Sequence, residues 1–210
     1  MAFGIGASFG KTGFNVVDVE TTGLDSNLDR VIEIAVVHVD PNGTITDTWT
    51  SLINPGQDTG AQHVHGISNS MVEDAPRFEE IAAYLYDKLA ALPLVAHNAK
   101  FDAAFITEEL RRAGLHTFSD DFPRLDTIEL AKLSLNLPNY KLETCCKHLD
   151  ISLEHAHCAL DDTIACAELF CALMKEDAQI DLIKKASLEA ENMVWDVPDN
   201  IAEPKIKLRG

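Results

Sequence analysis

The chain has 210 residues, 46% hydrophobic and 24% charged, the proportions of a globular domain with a real core, which excludes collagen-like, low-complexity and mainly disordered chains. Lys and Arg number 17 against 34 Asp and Glu, a formal net charge of −17, so whole-molecule attraction to nucleic acid is excluded and any such contact requires a local basic edge, bound cations or a partner protein. No apolar run approaches the roughly 18 residues that cross a bilayer, the first residues lack the pattern of a secretory leader, and the five cysteines have no zinc-type spacing; a cytoplasmic chain with reduced, packed thiols and no membrane partner is expected.

Residues 1–13 read as an N-terminal extension, 14–175 as the main domain and 176–210 as a C-terminal helix and tail. Residues 14–20 form an apolar, β-branched first strand that breaks at the turn Thr21-Thr22-Gly23-Leu24-Asp25. A second strand occupies 31–40, ends at Pro41-Asn42-Gly43, and is followed by a third at 46–53. Their short connections predict an antiparallel meander. A loop through His65-Gly66-Ile67 leads to a helix within 75–92, where Phe78, Ile81, Ala82, Leu85 and Leu89 form a stripe of helical period. The short strand 94–98 passes directly into a helix at 102–113 that stops at Gly114. A strand or loop near 123–127 precedes helical segments at 126–134, 141–149 and 159–174, and a further helix at 178–195 is expected. The final basic run at 205–209 reads as a solvated terminus.

Asp18 and Glu20 stand at i and i+2 on the first strand, so both carboxylates emerge on one face while Val17 and Val19 take the other. Two acids side by side on an apolar strand repel and lose hydration when packed, and a divalent cation is the strongest compensation. Asp102 lies just beyond a strand at the start of a helix, where α/β sheets assemble their sites. His157 and Asp162 would diverge on one continuous helix; if the helix starts near Ala159, His157 precedes it and both converge.

Three blocks, Asp18-Val19-Glu20-Thr21-Thr22-Gly23-Leu24-Asp25, His97-Asn98-Ala99-Lys100-Phe101-Asp102 and His157-Cys158-Ala159-Leu160-Asp161-Asp162, resemble the DEDD exonucleases of the histidine subtype, the family of the polymerase III proofreading subunit and ribonuclease T. The resemblance covers residues 14–174. It implies an α/β, ribonuclease H-like fold with a five-stranded mixed β-sheet flanked by α-helices, and a 3′–5′ exonuclease that releases nucleoside 5′-monophosphates. Asp18, Glu20, Asp102 and Asp162 match the metal-binding carboxylates and His157 the general base. An all-carboxylate set suits two Mg²⁺ or Mn²⁺ ions, which could clamp a phosphodiester. His157 could accept the proton of the attacking water near pH 7.

By the same resemblance, Thr21, Thr22, Gly23 and Leu24 hold the terminal nucleotide, and Asn98 and Phe101 border it. His65 either reaches the site or caps a turn. Lys100, Arg111, Arg112, Lys141 and Lys147 are candidates for a basic rim. Single-stranded DNA is the favoured substrate, with proofreading or repair as the role and a DNA polymerase or sliding clamp as partner. RNA trimming and a non-catalytic accessory subunit are the competing readings.

Overall fold

The computed structural model describes residues 12–115, 123–153 and 158–209. Strands β1 (Phe14–Thr21), β2 (Val31–Val39) and β3 (Ile45–Leu52) form the expected meander. Two short helices follow, α1 (Gln62–His65) and α2 (Asn69–Val72), then α3 (Phe78–Leu89), β4 (Leu94–Ala96) and α4 (Ala99–Arg112). Next come β5 (Arg124–Asp126), α5 (Thr127–Ser134), α6 (Leu142–His148), α7 (Ala159–Leu173) and α8 (Ile180–Asn192). The sheet order is β3-β2-β1-β4-β5. β1 pairs antiparallel with β2 and parallel with β4, which gives the five-stranded mixed sheet of a ribonuclease H-like fold.

Side-chain alternation divides the core in two. Val17 and Val19 of β1, with Ile34 and Val36 of β2, pack beneath α3 and α4 against Phe78, Leu85, Phe105 and Leu110. Phe14 and Val16, with Val37 and Val39, pack on the other face against Leu169, Phe170 and Leu173 of α7. Phe14 meets Phe170 edge-on, with ring centroids 4.8 Å apart. The residues of β1 that face α7 are therefore Phe14, Val16, Asp18 and Glu20, so this row is apolar where the strand enters and acidic where it leaves.

Several boundaries differ from the sequence reading for identifiable reasons. α1 and α2 are single turns, too short to show a 3.6-residue period, and fall in a segment read as loop. α3 occupies only 78–89 of the expected 75–92. The Arg77 N–H donates to the Glu80 carboxylate at 2.7 Å at its head, and the chain turns left-handed at Ala91, φ 66°, after its end. α4 begins at Ala99 rather than Asp102, because the N–H groups of Asn98 and Ala99 donate to the Asp126 carboxylate at 3.3 and 3.0 Å. The same carboxylate caps α5 through the Ile128 N–H at 2.9 Å.

Asp126 thus terminates two helices with one side chain. Asp126→Ala is expected to cost about 1–2 kcal/mol, measured by urea unfolding, and to loosen the head of α4, which carries Asp102. The basic run at 205–209 is also not a solvated end. The Leu52 N–H donates to the Lys207 carbonyl at 2.7 Å, which places this segment beside the edge strand β3.

Candidate active site

β1 carries Asp18 and Glu20 to the end of the sheet at which α7 begins. α7 brings Asp162 there in its first turn, where the Asp162 N–H donates to the Cys158 carbonyl at 3.0 Å. One ligand oxygen from each of Asp18, Glu20 and Asp162 lies within 4.8 Å of the others. Helix N-termini carry partial positive charge, so the start of α7 favours acids around it. The β1–β2 register slips between Glu20 and Thr21, which ends regular pairing beside the cluster.

Asp102 takes a different position. β4 pairs with β1 only through Asn15 and Val16. Further along β1, Asp102 reaches in from α4 and accepts a hydrogen bond from the Val19 N–H at 3.2 Å. It is buried next to Asp18, and no oxygen of it joins the three-residue group. His157 lies outside the described residues.

Burial and mutual repulsion govern the electrostatics. Burial first, then the charges of Asp162 and Glu33, push Asp18 up to about 7. Burial, then Asp18, Glu33 and Asp162, push Glu20 up to about 8, with the Arg209 guanidinium pulling the other way. Asp102 is raised well above the usual carboxylate range by burial and by Asp18, against the opposing pull of its Val19 hydrogen bond. Three carboxylates whose charged forms are this disfavoured need a counter-charge. The donors of the Asp18, Glu20 and Asp162 group are oxygen only, with no thiol or imidazole among its described residues, which fits a hard divalent cation.

The sign of the pH dependence follows. Between about pH 4, where the unfolded carboxyls ionise, and pH 7–8, where the folded Asp18 and Glu20 ionise, the native state holds more protons. The Tm of the metal-free protein should therefore fall as pH rises through that window, all else in the buffer being equal. Added Mg²⁺ or Mn²⁺ should raise Tm more at pH 8 than at pH 5.5, as differential scanning calorimetry would read directly.

The turn after β1 is tightly made. The Thr21 hydroxyl donates to the Gly23 carbonyl at 2.6 Å, and the Thr22 hydroxyl to Asp29 at 3.1 Å. A Cβ on Gly23 would stand 2.4 Å from the Asp29 carboxylate, so any other residue there would push aside the side chain that the Thr22 hydroxyl bonds. Leu24 projects from this turn at 86% exposure. Asn98 adopts the left-handed conformation, φ 83°, at the head of α4. Phe101 is half-buried against Phe105, with centroids 4.8 Å apart.

His65 is 2% exposed and satisfied within its own turn: Nδ1 accepts the Ile67 N–H at 3.0 Å and Nε2 lies 3.2 Å from the Thr59 carbonyl. Both ring nitrogens are thus engaged within the turn. Two members of the candidate basic rim are engaged elsewhere. Arg112 braces the β1–β2 connection through the carbonyls of Ser26, Asn27 and Asp29, and Arg111 pairs with Glu108 at 2.7 Å.

Two residues at this end, Glu33 and Arg209, belong to none of the three sequence blocks. Glu33 of β2, opposite Glu20 in the ladder, is 2% exposed and accepts the Ala159 N–H at 3.2 Å and Arg209 Nη1 at 3.1 Å. In the sequence Glu33 is one acid inside an apolar strand, which was the available signal; its registry with Glu20 is seen only in the fold.

Comparison with known proteins bears on this arrangement. Residues 16–170 match the family model described as Exonuclease. The chain belongs to the exonuclease family. It is 40% identical over 164 residues to a Bacillus cereus protein named DNA polymerase III PolC-type, a match covering 77% of this chain and 11% of that one. It is 34% identical over 174 residues to the Bacillus subtilis protein named 3′-5′ exonuclease DinG, covering 81% of this chain and 18% of that one. This exonuclease-family chain thus spans a small fraction of these curated relatives. Its fold resembles exonuclease X solved in complex with 5′ overhanging duplex DNA, with TM-score 0.65 and 23% identity over 83% of this chain and 99% of that one. No helix among the described residues is long and apolar enough to cross a membrane.

Proposed function

We propose that this exonuclease-family chain hydrolyses nucleic acid from the 3′ end, releasing nucleoside 5′-monophosphates, with single-stranded DNA as substrate in a proofreading or repair role. The observation that carries the reading is the Asp18, Glu20 and Asp162 cluster, whose oxygens lie within 4.8 Å of one another at the sheet end where α7 starts. The names of the DNA polymerase III PolC-type and DinG relatives support DNA over RNA, and a DNA polymerase as the partner.

Asp18, Glu20 and Asp162 hold the cations, taken to be Mg²⁺ or Mn²⁺, and Asp102 supports them from beside Asp18. Divalent cations held there would polarise a phosphodiester and offset the charge that develops as it is cleaved. They also supply the local positive field that a chain of net charge −17 needs to receive a polyanion. Thr21, Thr22, Gly23 and Leu24 form the turn against which the terminal nucleotide rests, with exposed Leu24 offering an apolar surface to its base. Asn98 and Phe101, at the head of α4, border the terminal nucleotide in this reading. His157, on the sequence pattern alone, is assigned to accept the proton of the attacking water.

The test is product analysis on 5′-labelled single-stranded DNA and RNA of one sequence with Mg²⁺, Mn²⁺ or EDTA. A descending ladder from the 3′ end, faster on DNA and abolished by EDTA, is expected. A faster ladder on RNA would replace the DNA reading with RNA trimming. No ladder from folded, metal-loaded protein would overturn the activity.

A further inference from the structure

The basic run at 205–209 lies against the acidic end of the sheet. Besides the Leu52 contact, the Lys207 N–H donates to Ser51 Oγ at 3.1 Å. Residues 206 and 208 are exposed while 207 and 209 are half-buried, the alternation of an extended segment. Leu52 pairs with Glu33, and Glu33 with Glu20. The tail therefore adds to the outer end of the same cross-strand row that terminates in the carboxylate cluster.

Two residues beyond Lys207, Arg209 reaches inward. Its Nη1 contacts Glu33 Oε2 at 3.1 Å, and its Nη2 donates to the His65 carbonyl. Glu33 Oε2 also accepts the N–H of Ala159, the first residue of α7, at 3.2 Å. One buried oxygen thus joins the tail to the helix that carries Asp162 three residues later. The other arm of the guanidinium joins it to the His65 turn.

A carboxylate that is 2% exposed and lies near three others needs a cation at hydrogen-bond distance to remain a useful acceptor. Arg209 provides one, with its side chain 22% exposed, and a planar fork can serve two acceptors where a lysine serves as a point charge.

We propose that Arg209 is a positioning residue of the nuclease site, which through Glu33 fixes the start of α7, and with it Asp162, and through the His65 carbonyl fixes the neighbouring turn. The proposal rests on the exonuclease reading for its catalytic consequence and on geometry alone for its structural one, so the two can fail separately.

The experiment compares wild type, Arg209→Ala, Arg209→Lys, Glu33→Gln and the Glu33→Gln/Arg209→Ala pair. On metal-free protein, amide hydrogen exchange reads the site without any turnover. Arg209→Ala should accelerate exchange at the start of α7 and at residues 66–67 by about tenfold or more, leaving α3 and α5 unchanged, as expected of local opening. On single-stranded DNA with saturating Mn²⁺, kcat should fall by about tenfold with KM changed by less than about twofold, the signature of a misplaced catalytic group. Arg209→Lys should restore part of that loss. The double variant should lose no more than Glu33→Gln alone, since coupled residues are not additive.

Unchanged exchange at the start of α7, exchange raised uniformly over the fold, or additive losses in the double variant would each overturn the proposal. If wild type shows no nuclease activity, the functional reading fails, and the exchange data still decide whether the tail orders this end of the molecule.

Discussion

Asp18→Asn is expected to abolish most of the nuclease activity while making the metal-free protein more stable. Asp18 is half-buried, its carboxylate grouped with those of Glu20 and Asp162 and close enough to Asp102 to raise it. Removing its charge removes a cation ligand, and lost charge stabilisation of several kcal/mol in the transition state corresponds to a fall in kcat of more than about a hundredfold. The folded protein, in contrast, loses a repulsion. Asp18 is pushed up to about 7, so at pH 8 it is ionised in an environment that disfavours the charge, and an amide of the same shape is relieved of that cost. The variant's Tm without metal should exceed wild type at pH 8. It should match wild type near pH 5, where Asp18 is already protonated, and the stabilisation by Mn²⁺ at pH 8 should shrink. A variant that is inactive and equally destabilised at both pH values would instead mean that Asp18 serves packing.

The largest stability effect is expected at Glu109, a residue with no part in the chemistry. This carboxylate of α4 is 1% exposed and receives Arg30 Nε at 2.7 Å, Arg30 Nη2 at 2.9 Å and the Val31 N–H at 3.1 Å. Arg112 lies 3.4 Å away on its other side. The network locks the beginning of β2 onto α4, with the carbonyls of Ser26, Asn27 and Asp29 in the β1–β2 connection held to the same helix by Arg112. Glu109→Ala leaves two guanidinium groups and a buried amide without their common acceptor, and breaking one partner of a buried pair costs about 3–5 kcal/mol. Urea unfolding would read this as a lower midpoint at unchanged slope. Glu109→Gln, which keeps the shape and one acceptor oxygen, should lose less.

The meander was legible because its strands are apolar, β-branched and punctuated by Gly and Pro. The α3 stripe was legible because twelve helical residues suffice to display a 3.6-residue period. Asp18 and Glu20 announced themselves by spacing, since two acids on one face of a buried strand demand compensation. What escaped depends on distance in sequence. Glu33 gains its role only when β1 and β2 are in register. Asp126 looks like a turn residue until the heads of α4 and α5 are seen to share it. Arg209 lies 176 positions from Glu33, in a run whose composition suits solvent, and only the docking of the tail on β3 brings it inward. Asp102 stands out in the sequence only as an acid at a helix start, and its bond to the Val19 amide becomes visible only in the fold, because strand length is among the least readable features of a sequence. His157, the expected proton acceptor, falls outside the described residues, and its role rests on the motif.

The central claim is that the repelling carboxylates at the end of β1 are a divalent-cation site. Calorimetric titration of Mn²⁺ into the wild-type chain and into Asp162→Asn, at pH 6.5 and pH 8 in buffers of different ionisation enthalpy, tests it most directly. Binding to wild type is expected to be tighter at pH 8 and to release protons at pH 6.5, because Asp18 and Glu20 are pushed up to about 7 and about 8 and must ionise to bind. Asp162→Asn should bind markedly more weakly. Equal affinity at both pH values with no proton release, and no loss in Asp162→Asn, would contradict the account.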